Sequence, residues 1–289
     1  MKRRPVTQPF QVAKVKTQSK RLRYKLGLAA WLLLLLTAGC AAVDPAPAVL
    51  FLRPGPNGAA QLYVQPAGAA SARQLTGVED PAAPEVIDYA AAPDGVWLSY
   101  VSPTDEGVVL YQLSDGAQRL LNSRVGSPAA FSPDSAVVVY SDIVVQAHDV
   151  APENEQGDAP LQESSSTFLY RTRLDEDSPR QRLSPDAAVA DSVPAFSPDG
   201  QWIAFGRAPA GTDAARQLWL MRPDGGEARA LTADPTISNG PPSWSPDGRY
   251  LLFQRYDPVE NATSVWRLEV ATGAAALVAE GGYLPGWLP

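Results

Sequence analysis

The chain has 289 residues, of which 45% are apolar, 8% aromatic and 19% charged, so it can bury a large core and is not expected to be disordered. Residues 40–289 hold fifteen arginines, no lysine and all 31 acidic residues, and this formal charge of −16 argues against binding to nucleic acid. One cysteine excludes an internal disulfide and a cysteine-cluster metal site, and one histidine excludes a His-rich zinc site.

The first forty residues have the pattern of an export signal. Nine basic residues precede the uncharged stretch 26–43, which contains the leucine run 32–36 and small residues ending at Cys40. This ending resembles the lipobox of bacterial lipoproteins, with Thr37 where that motif prefers leucine. The resemblance implies that 1–39 is a cleaved signal peptide, that Cys40 is acylated, and that 40–47 is a linker.

An uncleaved anchor is the alternative interpretation of the same segment. Eighteen apolar residues at about 1.5 Å each just reach across a bilayer core, and the basic flank would stay in the cytoplasm. Both interpretations predict that the body lies outside the cytoplasmic membrane, in the bacterial cell envelope. An uncleaved anchor would also admit a sensory ectodomain.

Four copies of one turn motif divide the rest of the chain. Proline sets φ at the first central position of such a turn, aspartate bonds to nearby amides, and glycine accepts a positive φ. Ser135 replaces this glycine in the second copy, so we expect a strained or different turn there. The four copies are Ala92-Pro93-Asp94-Gly95, Ser132-Pro133-Asp134-Ser135, Ser197-Pro198-Asp199-Gly200 and Ser245-Pro246-Asp247-Gly248.

Strand-like runs follow each turn at a repeat of roughly 40–50 residues, which is typical of a β-propeller. Five aromatic residues are predicted to mark the same strand of each repeat: Tyr63, Tyr111, Tyr170, Trp219 and Trp266. The first repeat lacks an inner strand, whereas 285–289 aligns with the inner strand 242–246. We therefore predict an all-β, five-bladed propeller of four-stranded blades over 48–289, closed when the C-terminal inner strand joins the N-terminal blade.

The segments 244–248 (Trp-Ser-Pro-Asp-Gly) and 196–200 (Phe-Ser-Pro-Asp-Gly), with the strands after them, resemble the TolB-like propeller repeat. The resemblance covers essentially all of 48–289. It implies a periplasmic interaction scaffold, and similar blades form the gating domain of prolyl-oligopeptidase-type enzymes. The family has no shared catalytic residues, and no Gly-x-Ser-x-Gly elbow occurs in this chain.

More than half of the acidic residues fall in loops predicted for the face opposite the turn motifs. That face also carries a long insertion at 142–166, in which His148 is predicted to be a solvated loop residue. We expect the face to bind a cationic partner, a basic peptide or a divalent ion, or else only to keep the protein soluble. Asp88, Asp191 and Asn239 are the predicted binding residues at the channel mouth, and the turn aspartates are predicted to cap their turns.

Two functions follow from these patterns. The first is a non-enzymatic, membrane-tethered scaffold that binds envelope proteins or ligands, is monomeric and uses no cofactor. The alternative is a propeller glycoside hydrolase, which needs two carboxyl groups about 5–9.5 Å apart at the channel mouth. Asp88 and Asp191 are the candidate acids, so their convergence or separation would discriminate the two.

Overall fold

The computed structural model describes residues 48–66, 69–78, 85–102, 107–121, 123, 127–148, 162–174, 179–185, 187–283 and 285–287. The predicted signal peptide, Cys40 and the linker lie outside these residues. No helix long and apolar enough to cross a bilayer occurs within the described ranges.

The described chain forms five small antiparallel sheets arranged in a ring, as predicted. We call them blades 1 to 5 in chain order. The strands of blade 1 are β1 (Val49–Pro54), β2 (Ala60–Gln65) and β3 (Arg73–Gln74). Those of blade 2 are β4 (Asp88–Ala91), β5 (Trp97–Val101), β6 (Val108–Gln112) and β7 (Gln118–Leu121). Those of blade 3 are β8 (Ala130–Phe131), β9 (Val137–His148), β10 (Gln162–Arg173) and β11 (Gln181–Arg182).

Blade 4 consists of β12 (Val189–Phe196), β13 (Ile203–Pro209), β14 (Gln217–Met221) and β15 (Arg229–Ala230). Blade 5 has its inner strand in two pieces, β16 (Ser238–Asn239) and β17 (Ser243–Trp244), followed by β18 (Tyr250–Asp257), β19 (Ala262–Glu269) and β20 (Ala275–Glu280). Both inner pieces pair with β18. The inner strand of blade 4 is also irregular, because a register shift separates Ser192 from Ala195.

Apolar side chains on both faces of blades 2, 3 and 4 pack against the neighbouring blades. Ile203, Ala204 and Phe205 are consecutive and all fully buried, because alternate side chains of a strand point to opposite faces and each face meets a neighbouring blade. Separate buried clusters accordingly join blade 1 to blade 2, blade 2 to blade 3, blade 3 to blade 4, and blade 4 to blade 5.

Two equivalent tryptophans show how the ring continues beyond blade 5. Trp244 on the inner strand of blade 5 donates its indole Nε1–H to the carbonyl of Ala195 in blade 4, at 3.0 Å. Trp287 donates in the same way to the carbonyl of Ser243 in blade 5, at 2.9 Å. Each acceptor directly precedes the inner-strand aromatic residue of its blade, so Trp287 stands where the inner strand of a following blade would. In a five-membered ring that place belongs to blade 1, whose described sheet begins at β1.

Three details differ from the sequence-based expectations. The insertion at 142–166 begins and ends as strand, because β9 and β10 extend the hairpin to a twelve-residue pairing. His148 is the last residue of β9, so its assignment to a loop was wrong. Tyr111 pairs with Leu98, four residues after its turn aspartate, whereas Trp219 and Trp266 pair with residues six positions after theirs, so Tyr111 is out of register with the set.

Candidate functional site at the turn end of the ring

Each turn motif is closed by its own side chains. In blade 4 the amide of Gly200 donates to the carbonyl of Ser197, and the amide of Gln201 donates to Asp199 Oδ1 at 3.0 Å. The Ser197 hydroxyl donates to the same Asp199 oxygen at 2.5 Å and accepts from the amide of Trp202. The copies in blades 3 and 5 repeat this network. The turn aspartates therefore cap their turns, as predicted.

Ser135 has φ +54°, close to the +69° of Gly200, so the second copy keeps the same turn in a conformation that is unfavourable for serine. The expected strain is confirmed. The Ser135 hydroxyl accepts a hydrogen bond from the amide of Asp94 in the turn of blade 2, at 3.0 Å. This bond between blades links two neighbouring turns and is unavailable to a glycine.

The other turns also touch their neighbours. A Cβ built on Gly200 would lie 3.4 Å from Pro133 Cδ, and one built on Gly248 would lie 3.7 Å from Pro198 Cδ. The glycine position of the turns in blades 3, 4 and 5 therefore faces the preceding turn around the ring, with Ser135 in that position in blade 3. We call the four motifs 92–95, 132–135, 197–200 and 245–248 the turn collar.

The collar carries negative charge. The hydrogen bond from Ser132 holds the pKa of Asp134 below its usual value, and Ser197 and Ser245 lower the pKa of Asp199 and Asp247 in the same way. The amide two residues further on adds to the effect in each turn. These three carboxylates therefore stay ionised through the physiological range of pH.

The inner side of the collar borders an open, mainly apolar cavity of about 470 Å³. Because its wall comes from blades 2, 3, 4 and 5, it lies at the centre of the ring. Its volume falls within the roughly 300–1,000 Å³ of small-ligand sites. The lining residues are mainly prolines and aromatic residues: Pro93, Phe131, Pro133, Ala195, Phe196, Ser197, Pro198, Pro242, Ser243 and Trp244.

A smaller cavity of about 270 Å³ lies beside the first, between blades 3 and 4. Its wall includes the carboxylates of Asp134 and Asp199 together with Arg171. Arg171 Nη1 donates to the carbonyl of Pro223 at 3.0 Å, so the guanidinium is held in place. The turn end of the ring thus offers an apolar centre with a charged flank.

The predicted binding residues lie at the other end of the inner strands. Asp191 is fully buried, and both of its carboxylate oxygens accept from Arg207, Oδ1 from Nε at 2.6 Å and Oδ2 from Nη2 at 2.8 Å. Asn239 is the counterpart of Asp191 in blade 5, since it pairs with Arg255 as Asp191 pairs with Arg207. Its side-chain Nδ2 donates to the carbonyl of Arg216 at 3.0 Å.

Asp88 does not share this position. Asp88 pairs with Val101, and the amide of Ile87, the residue before it, donates to the Val101 carbonyl. Relative to the neighbouring strand of its blade, Asp88 therefore lies one position further along the inner strand than Asp191 does in blade 4. A shift of one residue turns a side chain to the other face of the sheet. Asp88 is accordingly exposed, while Asp191 is buried. The strand register therefore separates the two acids that the hydrolase hypothesis would use.

Comparison with known proteins identifies the fold. No family model matches the sequence, and no curated protein matches it. Among solved structures, a putative TolB from Agrobacterium tumefaciens is similar, with a TM-score of 0.52 and 21% identity over 80% of this chain and 82% of that one. The chain has a TolB-like β-propeller fold.

Enzymes share the TolB-like architecture. An oligogalacturonate lyase from Vibrio parahaemolyticus has a TM-score of 0.56 and 16% identity over 81% of this chain, which spans 62% of the lyase. The tricorn protease has a TM-score of 0.55 and 11% identity over 81% of this chain, which spans 26% of the protease. Identities this low show a common fold and leave function to the site itself.

Sequence reasoning did not find the cavity of this TolB-like propeller. The sequence does contain a pattern that accompanies the cavity, because Pro242 and Pro194 lie just before the inner-strand aromatic residues Trp244 and Phe196. What was missing was the knowledge that these segments meet at the ring axis. Among the described residues, no three His, Cys, Asp or Glu side chains are grouped so that they could hold a metal ion. The predicted divalent-ion site at the opposite face stays a prediction, because many of its acids lie outside the described ranges.

Proposed function

We propose that the protein is a non-enzymatic binding scaffold of the bacterial cell envelope, tethered to a membrane by a lipid on Cys40. Its partner is a protein segment that inserts an apolar side chain into the cavity at the turn end of the ring. The cavity is the observation that carries this proposal, because four blades contribute to one apolar pocket of ligand size.

Charge suggests what flanks that apolar side chain. The ionised carboxylates of Asp134 and Asp199 border the adjacent cavity, and Asp247 belongs to the next turn of the collar. The body of the protein is also strongly acidic. A partner segment with basic residues beside its apolar anchor would therefore be steered to the collar and held there more strongly at low salt.

The leader supports the proposed location. Its basic residues, apolar stretch and terminal cysteine form the pattern of an export signal that ends in an acylated residue. One acyl chain alone gives only marginal membrane binding, so stable tethering would need the further acyl chains of a bacterial lipoprotein or a second contact.

The hydrolase alternative has weaker support. A catalytic carboxyl group must reach the substrate, whereas Asp191 has no exposed side-chain surface and both oxygens are bound to Arg207. Asp88 is exposed but lies at a different register position. The fold likeness to an oligogalacturonate lyase adds no residue to this alternative, and we therefore favour a scaffold that binds without catalysis.

Mass spectrometry of the membrane-extracted protein tests the tether. The proposal predicts that the mature chain begins at an acylated Cys40 and that Cys40→Ser leaves the leader attached. Intact peptides from residues 1–39 in the wild-type protein would show an uncleaved anchor instead.

Filling the cavity tests the binding site. Ala195 lines the cavity, and Ala195→Phe places a phenyl ring in it, whereas Ala271 is exposed in the outer turn of blade 5 and gives a matched Ala271→Phe control. On an array of peptides with apolar anchors and basic flanks, wild type and Ala271→Phe should bind the same sequences, and Ala195→Phe should lose them. Equal binding by both variants would place the site elsewhere.

A further inference from the structure

Blades 4 and 5 carry the same three positions at the end of the ring opposite the turn collar. In blade 4 these are Asp191, Arg207 and Trp219, with Arg207 Cζ 4.5 Å from the centre of the indole ring. In blade 5 the equivalents are Asn239, Arg255 and Trp266, with Arg255 Cζ 4.4 Å from its ring centre. The difference between the blades is one functional group, because an amide replaces the carboxylate.

The replacement leaves Arg255 without the partner that Arg207 has. Arg207 donates Nε and Nη2 to one carboxylate, the bidentate geometry that guanidinium groups favour. Arg255 Nε and Asn239 Oδ1 are both buried, and neither has a hydrogen-bond partner among the described residues, although Asn239 is only 1% exposed. A donor and an acceptor therefore stand unsatisfied at the place where blade 4 holds its ion pair.

A second arginine enters the same interface. A Cβ built on Gly206 would lie 2.3 Å from Arg216 Cδ, so the Arg216 side chain crosses the strand where Gly206 leaves space. Arg216 precedes Leu218 by two residues and so continues the face that packs against Phe253 of blade 5. Arg255 follows Phe253 by two residues on β18. Both guanidinium groups thus belong to the interface between blades 4 and 5.

Within the part of the chain that the structure describes, neither Arg216 nor Arg255 forms an ion pair. Burial lowers the pKa of Arg216, which reflects desolvation without a compensating anion in these described ranges. Asp234 is an acid that interacts electrostatically with Arg255, but it is exposed and accepts hydrogen bonds from Thr236. The hydrogen bonds from Thr236 lower the pKa of Asp234 more than the charge of Arg255 does. Two arginine side chains without an ion-pair partner among the described residues therefore face the same interface.

We propose that Arg216, Arg255 and Asn239 bind the carboxylate of a ligand that carries an N–H or O–H donor beside it, as the last residue of a peptide or a hydroxy acid does. The ligand carboxylate supplies Arg255 with the anionic partner that Asp191 supplies to Arg207. The adjacent donor satisfies Asn239 Oδ1. The site lies at the end of the ring away from the apolar cavity, so it is independent of the proposed scaffold function.

Calorimetric titration of the full chain in detergent tests the proposal with three small probes: N-acetylglycine, glycolate and the neutral N-acetylglycinamide. The two acids should bind and the amide should not. Tighter binding of N-acetylglycine would identify a peptide terminus as the ligand type, and tighter binding of glycolate would identify a hydroxy acid. Binding of the amide as tightly as the acids, or no binding of either acid, would overturn the proposal.

Substituting the residues of the proposed site tests the assignment further, beginning with the change that gives blade 5 the aspartate of blade 4. Asn239→Asp supplies an internal carboxylate to Arg255 and should weaken binding of the acids by about tenfold or more, with thermal stability kept or raised. Arg255→Gln and Arg216→Gln should weaken binding similarly, and Asp234→Asn should strengthen it. Arg249→Gln removes an exposed cation next to the turn collar and should leave binding unchanged. Wild-type affinity in both Asn239→Asp and Arg255→Gln would contradict the assignment.

Discussion

At the scale of single residues, three serines control the charge of the turn collar. The hydroxyls of Ser132, Ser197 and Ser245 donate to the turn aspartates and lower the pKa of each carboxyl group. A carboxyl group whose pKa is lower in the folded than in the unfolded chain stabilises the fold above its unfolded pKa. That stabilisation is lost as the pH falls through the lower, folded value.

Removing the three hydroxyls should flatten this dependence. The triple variant Ser132→Ala, Ser197→Ala, Ser245→Ala returns the three pKa values toward the unfolded value of 3.8. Urea denaturation at a series of pH values should show that the wild type loses stability more steeply than the variant between about pH 4 and pH 2. Blade 2 provides a matched gain, because Ala92→Ser adds the hydroxyl that its turn lacks. Identical slopes in wild type and triple variant would contradict the cause given for the shifts.

Most of these features of single residues could be predicted from the sequence. The turn chemistry of proline, aspartate and glycine is local, so capping and the strain at Ser135 followed from residue types alone. The register of Tyr111 could not be predicted from residue types, because it depends on which residue of the neighbouring strand pairs with it. Its side chain approaches the turn at Gly116, where a Cβ would lie 3.3 Å from the phenol oxygen.

At the scale of the strand pair, the buried ion pair in blade 4 is expected to be sensitive to mutation. The side chain of Asp191 is 0% exposed and that of Arg207 is 10% exposed. Removing the arginine would leave a buried carboxylate without compensation, whereas removing both charges together need not destabilise the protein.

Arg207→Met should therefore lower the free energy of unfolding by about 3–5 kcal/mol. Asp191→Leu combined with Arg207→Met should recover most of that loss. Arg249→Met is the control, because its pair with Glu269 is exposed, spans 3.6 Å and should contribute about 0–1 kcal/mol. Urea denaturation of the wild type and the three variants measures these differences. A small loss for Arg207→Met, comparable to that of the control, would contradict the contribution assigned to the buried ion pair.

The sequence predicted Asp191 and Asn239 as channel-mouth residues of the inner strands, but it did not identify their partners. Arg207 and Arg255 lie sixteen positions later, and only strand pairing brings each pair together. The hairpin β9–β10 shows the same limit, because residues 142–148 have the composition of an insertion but continue the pairing of blade 3. Asp142 is consequently a buried strand residue bound to Arg180 rather than a loop acid.

At the scale of the whole molecule, the C-terminal segment continues the ring. Because Trp287 repeats the contact of Trp244 one blade further on, its indole should stabilise the entire propeller rather than a loose end. Trp287→Phe removes the hydrogen bond to Ser243 while keeping most of the aromatic surface, and should cost about 1 kcal/mol. Trp287→Ala also removes the apolar surface of a half-buried side chain and should cost roughly 2–4 kcal/mol.

Tyr283→Ala is the control for this pair of variants, since Tyr283 is 70% exposed and should change stability by less than about 0.5 kcal/mol. Chemical denaturation should show a single transition whose midpoint moves least for Tyr283→Ala, further for Trp287→Phe and furthest for Trp287→Ala. If Trp287→Ala unfolds like the Tyr283→Ala control, the segment does not take part in the ring.

The number of blades could be predicted from sequence because five strand runs with an aromatic residue recur, and because 285–289 aligns with the inner strand that the first repeat lacks. The cavity could not, because it depends on how four separate inner strands converge on one axis. The same is true of Arg216 and Arg255, which come together only in the interface of two blades.

Site-specific photo-crosslinking tests the central claim, that the partner binds in the cavity at the turn end of the ring. A photoreactive phenylalanine is placed at residue 195, which lines the cavity, and separately at residue 271, which is exposed on the outer turn of blade 5. In envelope preparations, irradiation should give a discrete adduct from position 195 only, and a peptide selected on the array should suppress it. Adducts that form equally at both positions, or that persist with the competing peptide, would contradict the account.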